Sequence, residues 1–568
     1  MERRDFAKQL ALGSAAAMLA TASPEAASAA QRGAEGGGSQ DFDMVVYGGT
    51  AGGVATAVAA ARHGLKTVLI EPRDQLGGMV TGGLSRTDVG RREVLGGLAL
   101  EFYARVGLRY DIKRYNNRVA WFLEPHVGES VFKEMLHEAG VTVLFRHPLR
   151  EKTGVEKSAG RLRAITTTNG SRFTGKVFAD CSYEGDLMAQ AAVTYTWGRE
   201  PSSMYGETLA GVRDRTPKHQ FMVDIPARDA NGNLYPEISP EPVAKSGEGD
   251  QKVQAYNFRM ITTNDPAIRV PWPQPEGYDP KRYQLLALLL EAEQKRLGRP
   301  QVFQELTLIA PIPNRKADFN NQGPFSTDYI GKNYDYPDAN YARRQEIWDD
   351  HVRYVQGYYY FLSNDPRVAP SLRQEVNEWG LCRDEYEDNA HWPNQLYVRE
   401  ARRMVGEYVM RQQDLQTDQK KADVIGMGSY NSDSHNIQRI VNAKGFVENE
   451  GDMQVPVTPY QMAFRMILPK GAECTNLLVP VPFSATHVAY SSLRMEPQYM
   501  IIGHAAGVAA SIALASNKAV QEIDVKNLQS TLLAEGAVFD YVQGPHEKAH
   551  GIIRERLRPK GVSRFNWE

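Results

Sequence analysis

Two histidines stand in polar stretches of the chain and could act as general bases. His435 ends the stretch SYNSDSH, and His487 lies within FSATHVAY. Imidazole exchanges a proton near neutral pH, so either side chain could remove a proton from a substrate hydroxyl or amine. Asp433 could orient the His435 ring, or it could cap a turn while the ring meets solvent. A purely structural role stays an open alternative for both histidines.

A glycine-rich turn lies between the first apolar run and an alanine-rich stretch. Residues 42–47 (FDMVVY) predict a strand, 48–53 (GGTAGG) a tight turn and 54–62 a helix, and the next strand closes with Glu71. Glycine lets the backbone approach a pyrophosphate, the helix N-terminus favours negative charge, and an acid at the end of the second strand binds a ribose hydroxyl. We therefore predict a dinucleotide site in which Thr50 takes the place of the second motif glycine.

The predicted contacts of this turn with the dinucleotide are Gly48, Gly49, Thr50, Ala51, Gly53, Glu71 and Pro72. A second segment, residues 76–84 (LGGMVTGGL), favours FAD over NAD, because two glycine pairs let the backbone approach a large flat ring system. The alternative for this segment is a mobile surface loop. Its predicted cofactor contacts are Gly77, Gly78, Met79, Thr81 and Gly82.

Five motifs together resemble a known family. They are YGGTAGG at 47–53, LGGM at 76–79, DCSYEGDL at 180–187, WPNQLYVREARR at 392–403, and the segment 484–507. Over nearly the whole mature chain the sequence resembles the FAD-dependent oxidoreductases with the glutathione-reductase-like FAD fold, in the branch often labelled xanthan-lyase-like. Nothing in these motifs explains a lyase activity. The resemblance implies an α/β protein with a split Rossmann-like FAD-binding domain and an inserted mixed α+β substrate region.

The resemblance also implies cofactor contacts outside the glycine-rich turns. Asp180 and Glu184 are expected to make polar contacts with the cofactor, although an acidic turn with capping duty is an equal alternative. Met495 precedes a predicted helix that directs its positive end at the flavin, and Gly503 and Gly507 lie within that helix. These two glycines could instead serve tight helix packing.

Charged side chains near these motifs add further expectations. His487 ranks first as the base because it stands just before the predicted flavin-facing helix. Arg399, Arg402 and Arg403 are predicted on a helix, and one of them is expected to reach the substrate or the cofactor. The other two would form a solvated or ion-paired face.

The chain is divided into segments by these motifs and by composition. We predict a signal peptide (1–30), a flexible linker (31–40), an FAD-binding domain in two parts (41–198 and 392–515), a substrate or cap region (199–391), and a C-terminal extension (516–568). Aromatic residues cluster in the substrate region near residue 354, where most of them are expected to pack in the core.

The first thirty residues predict export by the twin-arginine route. The stretch ERRDFAK at 2–8 precedes a short apolar run, and ASA at 27–29 offers a cleavage site. This route carries folded proteins, which suits a cofactor that is inserted before export. We expect a periplasmic protein that has lost its signal peptide and is not stably inserted in the membrane. A membrane-spanning helix needs roughly 20 consecutive apolar residues, and we predict no later segment of that length.

Charge and cysteine content exclude several classes of partner. A formal charge of −2 on 568 residues gives no electrostatic reason to expect nucleic acid. The three cysteines, Cys181, Cys382 and Cys474, have no spacing typical of a metal site, and no metal is predicted. A small-molecule substrate is the expected partner.

These features predict an exported FAD-dependent oxidoreductase, either a dehydrogenase or an oxidase. It would transfer a hydride from a CH–OH group of a sugar, polyol or glycoside to the flavin, and the electrons would pass to oxygen, a quinone or a redox protein. Oxidation of an amine or a carbon–carbon bond on the same flavin is the first alternative. A flavin-carrying electron-transfer or binding protein without turnover is the second.

Overall fold

The structure is a computed structural model that describes residues 39–110, 119–417 and 419–563. The predicted signal peptide and residues 31–38 of the predicted linker lie outside the described residues. The first strand begins at Ser39, so the last two residues of the predicted linker belong to the sheet.

The elements are numbered along the chain. The strands are β1 (Ser39–Tyr47), β2 (Thr67–Ile70), β3 (Thr142–Leu144), β4 (Val155–Ser158), β5 (Arg161–Thr166), β6 (Arg172–Asp180), β7 (Tyr195–Thr196), β8 (Met260–Thr263), β9 (Arg269–Val270), β10 (Thr307–Ile312), β11 (Lys316–Asn321), β12 (Gly380–Cys382), β13 (Arg403–Met404), β14 (Val424–Gly428), β15 (Ser432–Ser434), β16 (Gln438–Val441), β17 (Val447–Glu450), β18 (Met453–Val455), β19 (Tyr460–Ala463) and β20 (Leu477–Leu478). The α-helices are α1 (Ala51–Arg62), α2 (Gly97–Leu108), α3 (Pro125–Ala139), α4 (Asp186–Gln190), α5 (Ser202–Tyr205), α6 (Gln284–Leu297), α7 (Tyr341–Asn364), α8 (Pro370–Asn377), α9 (Gln412–Gln416), α10 (His487–Leu493), α11 (Glu496–Ser516), α12 (Val525–Ala534) and α13 (Glu547–Leu557).

The main sheet carries the dinucleotide motif. Its order is β3-β2-β1-β6, and these strands are parallel. β20 continues the parallel order beside the end of β6, while the antiparallel pair β5-β4 extends the sheet beside the start of β6. Tyr47 pairs with both Ile70 and Asp180, so the carboxyl ends of β1, β2 and β6 meet at one edge. Ligands of open α/β sheets bind at this edge.

The late strand and the long helix complete the N-terminal βαβ unit, as the split Rossmann-like fold predicts. β20 joins the sheet through Leu477 and Leu478. Helix α11 lies across α1, and a Cβ at Gly503 would stand 2.2 Å from the carbonyl oxygen of Gly52. A Cβ at Gly507 would stand 2.5 Å from the Cβ of Ala59. The small residues of both helices therefore allow this close crossing.

Helix α11 corrects one expectation about membrane-length segments. It spans 21 residues and is long and apolar enough to cross a bilayer by length and composition, although no later segment of that kind was expected from the sequence. The apolar window of this helix is 78% buried inside the fold. Its many alanine and glycine residues are apolar and have short side chains or none. Other helices can therefore pack against it on several sides.

The region inserted between the two parts of the main domain is mixed α+β. Its antiparallel sheet has the order β10-β11-β8-β12-β9, and helices α6, α7 and α8 accompany it. Aromatic residues fill its core: Trp272 stacks on Tyr359 at 4.2 Å between ring centroids, and Tyr329 stacks on Tyr354 at 4.0 Å. The aromatic cluster of α7 is therefore buried packing, as expected from the sequence.

Candidate cofactor-binding and active site

A cavity of about 510 Å³ opens at the carboxyl edge of the main sheet. One wall comes from β1, β2 and the turns after them, and the opposite wall comes from the inserted region. The lining residues named in the sequence analysis are Gly48, Thr50, Glu71, Pro72, Gly78, Thr81 and Glu184. The sequence did not single out Tyr336, Arg344 and Trp348 of the facing wall, because nothing in the local sequence relates them to the glycine turns.

The turn between β1 and α1 allows no side chain at two of its glycines. Gly48 has a φ of +100°, and a Cβ there would stand 2.6 Å from the backbone of Cys181. A Cβ at Gly53 would stand 1.9 Å from the carbonyl oxygen of Gly48. Thr50 begins the helix instead of the second motif glycine: its Oγ1 accepts a hydrogen bond from the Gly53 N–H (3.1 Å) and donates one to the Cys181 carbonyl (2.8 Å).

Glu71 ends β2 and reaches back under this turn. Its carboxylate accepts hydrogen bonds from the backbone N–H of Gly49 (2.6 Å) and of Arg73 (2.7 Å). Burial raises the pKa of Glu71 to about 7, against the two backbone hydrogen bonds that lower it. The carboxyl group lines the cavity, where it is placed to bind a ribose hydroxyl.

Replacing Glu71 with glutamine should weaken FAD binding and change the pH dependence of the apo-protein. We expect a Kd for FAD about tenfold higher, because a charged hydrogen-bond acceptor is lost. Folding raises the pKa of this carboxyl group from 4.5 to about 7, so the folded protein keeps a proton that the unfolded chain releases. The stability of the wild-type apo-protein therefore falls as pH rises through this window. FAD titration and thermal unfolding at pH 5 and pH 8 measure both effects.

The matched control is Glu305→Gln, at a surface carboxylate that pairs with Arg299. That ion pair lowers the pKa of Glu305, so its stabilising effect is present at pH 8 and is lost toward acid. Glu71→Gln should be more stable than the wild-type apo-protein at pH 8, because its amide has no charge to desolvate on burial. Glu305→Gln should leave FAD binding unchanged and should show no such gain. A Glu71→Gln protein with wild-type FAD affinity would contradict the role assigned to this carboxylate.

The second glycine segment forms a buried 3₁₀ turn (Gly78–Val80), and the alternative of a mobile surface loop is wrong. Gly77 and Gly78 both have positive φ, which tightens the turn. The Met79 N–H donates to the Tyr183 hydroxyl (2.9 Å), which in turn donates to Glu496 Oε1 (2.7 Å). The start of α11 is thereby tied to this turn.

Two buried polar atoms, one in the cavity wall and one on a residue bonded to Tyr183 of that wall, have no partner within the described residues. They are Glu496 Oε2, at the first turn of α11, and Asn394 Nδ2, in the cavity wall. Burial raises the pKa of Glu496 to about 8, so this carboxyl group is mainly protonated at neutral pH. A buried donor without a partner and a buried carboxyl group with one unpaired oxygen, near a glycine turn and a helix N-terminus, fit the polar edge of a flavin.

A series of contacts connects the cavity wall with the segment that contains His435. A Cβ at Gly82 would stand 2.3 Å from Cβ of Gln395, so the two motifs touch. Two residues further along, the Tyr397 hydroxyl accepts a hydrogen bond from Arg494 (2.8 Å). Arg494 also donates to the carbonyl of Asp433 (2.7 Å). Asp433 stands two residues before His435.

His435 forms a buried imidazole–carboxylate pair. Its Nδ1 lies 2.6 Å from Asp328 Oδ2, and its Nε2 lies 3.9 Å from Asp433 Oδ2. Arg399 holds Asp328 from the other side at 2.9 Å. Burial lowers the pKa of His435, with help from the Arg399 charge, so the ring is neutral at pH 7. The sequence analysis named Asp433 as the orienting acid, but Asp328 makes the closer contact.

His487 belongs to a neighbouring buried cluster. It is the first residue of α10, and its Nδ1 lies 2.8 Å from Glu400 Oε2. Gln254 links the two histidines: its side chain donates to Glu400 (3.0 Å) and accepts from the His435 N–H (3.2 Å). Arg494 follows the other end of α10, about 10 Å away at 1.5 Å per residue. His487 and the start of α11 therefore lie at opposite ends of α10.

The helix predicted over Arg399, Arg402 and Arg403 is absent. This segment is irregular and enters the short strand β13 at Arg403. All three guanidinium groups are buried in ion pairs with acids far away in the sequence. From the sequence these side chains could form a solvated face or an ion-paired one, and in the structure they form ion pairs. The partners are Asp328 for Arg399, Asp186 and Asp338 for Arg402, and Glu200 and Glu400 for Arg403.

The remaining predicted contacts occupy different positions. Asp180 caps its own turn by accepting hydrogen bonds from the N–H groups of Ser182 (3.0 Å) and Met188 (2.8 Å). Met495 is the N-cap of α11 and is buried, whereas Gly503 and Gly507 lie further along the helix against α1. Met495 thus marks the start of the helix, and the two glycines lie in the helix crossing.

Three side chains within the described residues have ligand atoms close enough together to hold a metal ion. Glu124 and His126 stand at the start of α3 and Glu385 belongs to the inserted region; both glutamates are buried and the histidine is exposed. The ammonium group of Lys316 lies 2.7 Å from both carboxylates. This buried cation already neutralises the acids, so the group gives no reason to revise the expectation of a protein without a metal site.

Most of the chain matches one known protein family. The sequence model of the family described as FAD dependent oxidoreductase matches residues 43–532. No curated protein matches the sequence. Among solved structures, a geranylgeranyl bacteriochlorophyll reductase-like protein from Thermoplasma acidophilum is 12% identical, with 92% of this chain and 97% of that chain covered and a TM-score of 0.32.

Two further structures match over shorter stretches. A flavin-containing monooxygenase from Stenotrophomonas maltophilia is 14% identical over 25% of this chain and 38% of its own, with a TM-score of 0.19. NikD, an amino acid oxidase essential for nikkomycin biosynthesis, is 14% identical over 28% of this chain and 56% of its own, with a TM-score of 0.21. The alignments thus cover less than two thirds of either protein. The family match spans most of the chain, which therefore belongs to the FAD-dependent oxidoreductases and is an enzyme that uses FAD.

Proposed function

We propose that the enzyme oxidises a CH–OH group of a small molecule such as a sugar, a polyol or a glycoside. The observation that carries this proposal is the neutral, buried His435, whose ring is held by Asp328 in the network that Arg494 joins to Tyr397. A hydroxyl group must lose its proton as its carbon loses a hydride, and a neutral imidazole suits that step at pH 7.

FAD, when bound, supplies a hydride acceptor. The protein supplies the base: His435 Nε2 accepts the proton of the substrate hydroxyl group, while Nδ1 stays hydrogen-bonded to Asp328. The C–H and O–H bonds break, a carbonyl forms, and the imidazolium is stabilised by the Asp328 carboxylate. Arg399 keeps that carboxylate ionised, because the Arg399 charge and the hydrogen bond from His435 hold the pKa of Asp328 far below its usual value despite burial. His487 acts as a positioning residue through Glu400 and Gln254.

The main alternative within the family is oxidation of an amine or a carbon–carbon bond, since a neutral base serves those reactions too. Products separate the three cases. The purified holoenzyme is incubated with polyols, sugars, glycosides and amines, with oxygen, a quinone and a redox dye as electron acceptors, and the products are identified. A carbonyl compound formed without ammonia supports the proposal. Ammonia release, or a new carbon–carbon double bond, would favour the alternative.

We also propose that the enzyme works in the periplasm, with oxygen, a quinone or a small redox protein as its electron acceptor. The twin-arginine stretch at 2–8 and the short apolar run after it support export in the folded state.

Replacing both Arg3 and Arg4 by lysine should block export. We expect the precursor with bound FAD to accumulate in the cytoplasm, because lysine keeps the charge but not the arginine pair of the signal. Cell fractionation with an antibody against the chain measures the distribution. The control is Arg32→Lys, which lies after the predicted cleavage site and should be exported normally. Equal export of the double variant and the wild type would contradict the proposed route.

A further inference from the structure

Three exposed arginines stand on one loop near the active-site network. They are Arg86, Arg91 and Arg92, and within the described residues none of them forms an ion pair. Glu93, the acid beside them, forms no ion pair with them either. By contrast, the arginines inside the site are compensated, as in the pairs Arg259–Asp318 and Arg399–Asp328. The positive charge of the loop is therefore free to attract an anion.

Aromatic rings hold two of these guanidinium groups in place. The Arg86 guanidinium carbon lies 5.3 Å from the ring centroid of Phe122, and that of Arg92 lies 5.5 Å from the ring of Trp121. Stacking on a ring occupies the face of a guanidinium group and leaves its N–H edge able to donate. Two preorganised groups of this kind match a carboxylate, which accepts paired N–H donors.

The loop lies directly over the active-site network. The Arg91 N–H donates to the Ser429 hydroxyl (2.8 Å), and the Arg86 N–H donates to Asp318 (3.0 Å). Between these anchors, Asp88 turns inward: it is hydrogen-bonded to Tyr430 and faces the charge of Asp433. The inner side of the loop thus belongs to the proposed active site, and its outer side carries the arginines.

Solvent reaches this part of the network. Asp88 and Tyr430 are only partly buried, and the Asp433 side chain retains 17% exposure. The arginines are exposed on the loop, while its Asp88 faces Asp433, whose Oδ2 lies 3.9 Å from His435 Nε2. A negatively charged group on a small molecule would gain from the arginines while its hydroxyl group approaches the base.

We propose that Arg86, Arg91 and Arg92 bind a carboxylate group of the substrate, so that the preferred substrate is a sugar acid or another hydroxy acid. This inference rests on the proposed oxidation of a CH–OH group. An acidic redox protein could also be attracted to the loop. The small molecule is favoured because the arginines lie within seven positions of sequence, two of them against aromatic rings, on a loop whose Asp88 faces Asp433 beside His435.

The test compares D-glucuronate with D-glucose, which differ only at one carbon. Binding to the holoenzyme is measured by isothermal titration calorimetry, and oxidation by product analysis. We expect tighter binding of glucuronate, weakened by added NaCl. The double variant Arg86→Gln/Arg92→Gln should lose about tenfold in glucuronate affinity without change for glucose. The control is Arg163→Gln, an exposed arginine on β5 far from the loop in sequence, which should change neither.

The outcomes separate this inference from the proposed function. If glucuronate binds with the expected arginine dependence but is not oxidised, the carboxylate site stands and the proposed oxidation fails. If both sugars are bound and oxidised equally and the double variant matches the wild type, the carboxylate site is overturned while the proposed oxidation stands. If the double variant slows only electron transfer to an acidic redox protein, the loop serves the acceptor, and the assignment to substrate is overturned.

Discussion

Replacing Gly53 by alanine is expected to abolish retention of FAD. In an ordinary helix this change stabilises the protein by up to about 1 kcal/mol, because alanine has the higher helix propensity. Here the new Cβ would stand 1.9 Å from the carbonyl oxygen of Gly48 and 3.1 Å from Cβ of Cys181. The first of these contacts is with backbone that cannot rotate away, so the turn must open where the pyrophosphate would bind. We expect a destabilisation of about 1–3 kcal/mol, as for overpacked cores.

The matched control is Gly551→Ala in helix α13, where a new Cβ meets no atom within 4 Å. That variant should keep FAD and should be as stable as the wild type or slightly more stable. FAD content is read from the absorbance of the purified proteins, and folding from circular dichroism and thermal unfolding. A folded Gly53→Ala protein with full FAD content would contradict the role of this turn.

The second large effect is expected at His435. The variant His435→Asn removes the base that takes the hydroxyl proton, and flavin reduction by substrate should slow by about 10²- to 10⁴-fold. FAD content should not change, because His435 lies beyond the glycine turns and contacts Asp328. Anaerobic stopped-flow mixing measures the rate of flavin reduction directly.

The pH profile distinguishes a base from a structural histidine. Burial lowers the pKa of His435 below its usual value of 6.5, so the acidic limb of the activity profile should lie below pH 6.5. This acidic limb should disappear in His435→Asn. His487→Asn is the control: we expect it to slow flavin reduction less and to keep the acidic limb, because His487 acts through Glu400. The reverse order of effects would make His487 the base.

The sequence predicted the parts of the fold that depend on neighbouring residues. The strand, glycine turn, helix and strand around Gly48 occur where predicted, because local propensity and turn chemistry agree there. Met495 does precede a helix, since Pro497 suits a first turn. The glycines of that helix fit the alternative of tight packing, which depends on α1 lying across it.

Contacts between distant parts of the chain could not be predicted. Asp328 orients His435 from the inserted region, and no local spacing in the sequence relates the two. The helix expected at Arg399 was wrong for the same reason: its charged residues form buried ion pairs instead of a solvated helix face. The hydroxyl of Tyr183 joins Met79 to Glu496, and no local spacing in the sequence relates these three residues.

One measurement tests the central claim most directly. The holoenzyme is mixed without oxygen with the hydroxyl substrate found in the product screen, once with hydrogen and once with deuterium on the carbinol carbon, and the oxidised flavin band is followed. We predict bleaching in a single turnover that is slower with deuterium and much slower in His435→Asn. Bleaching that ignores both the isotope and the variant, or a band that no CH–OH compound bleaches, would contradict the account.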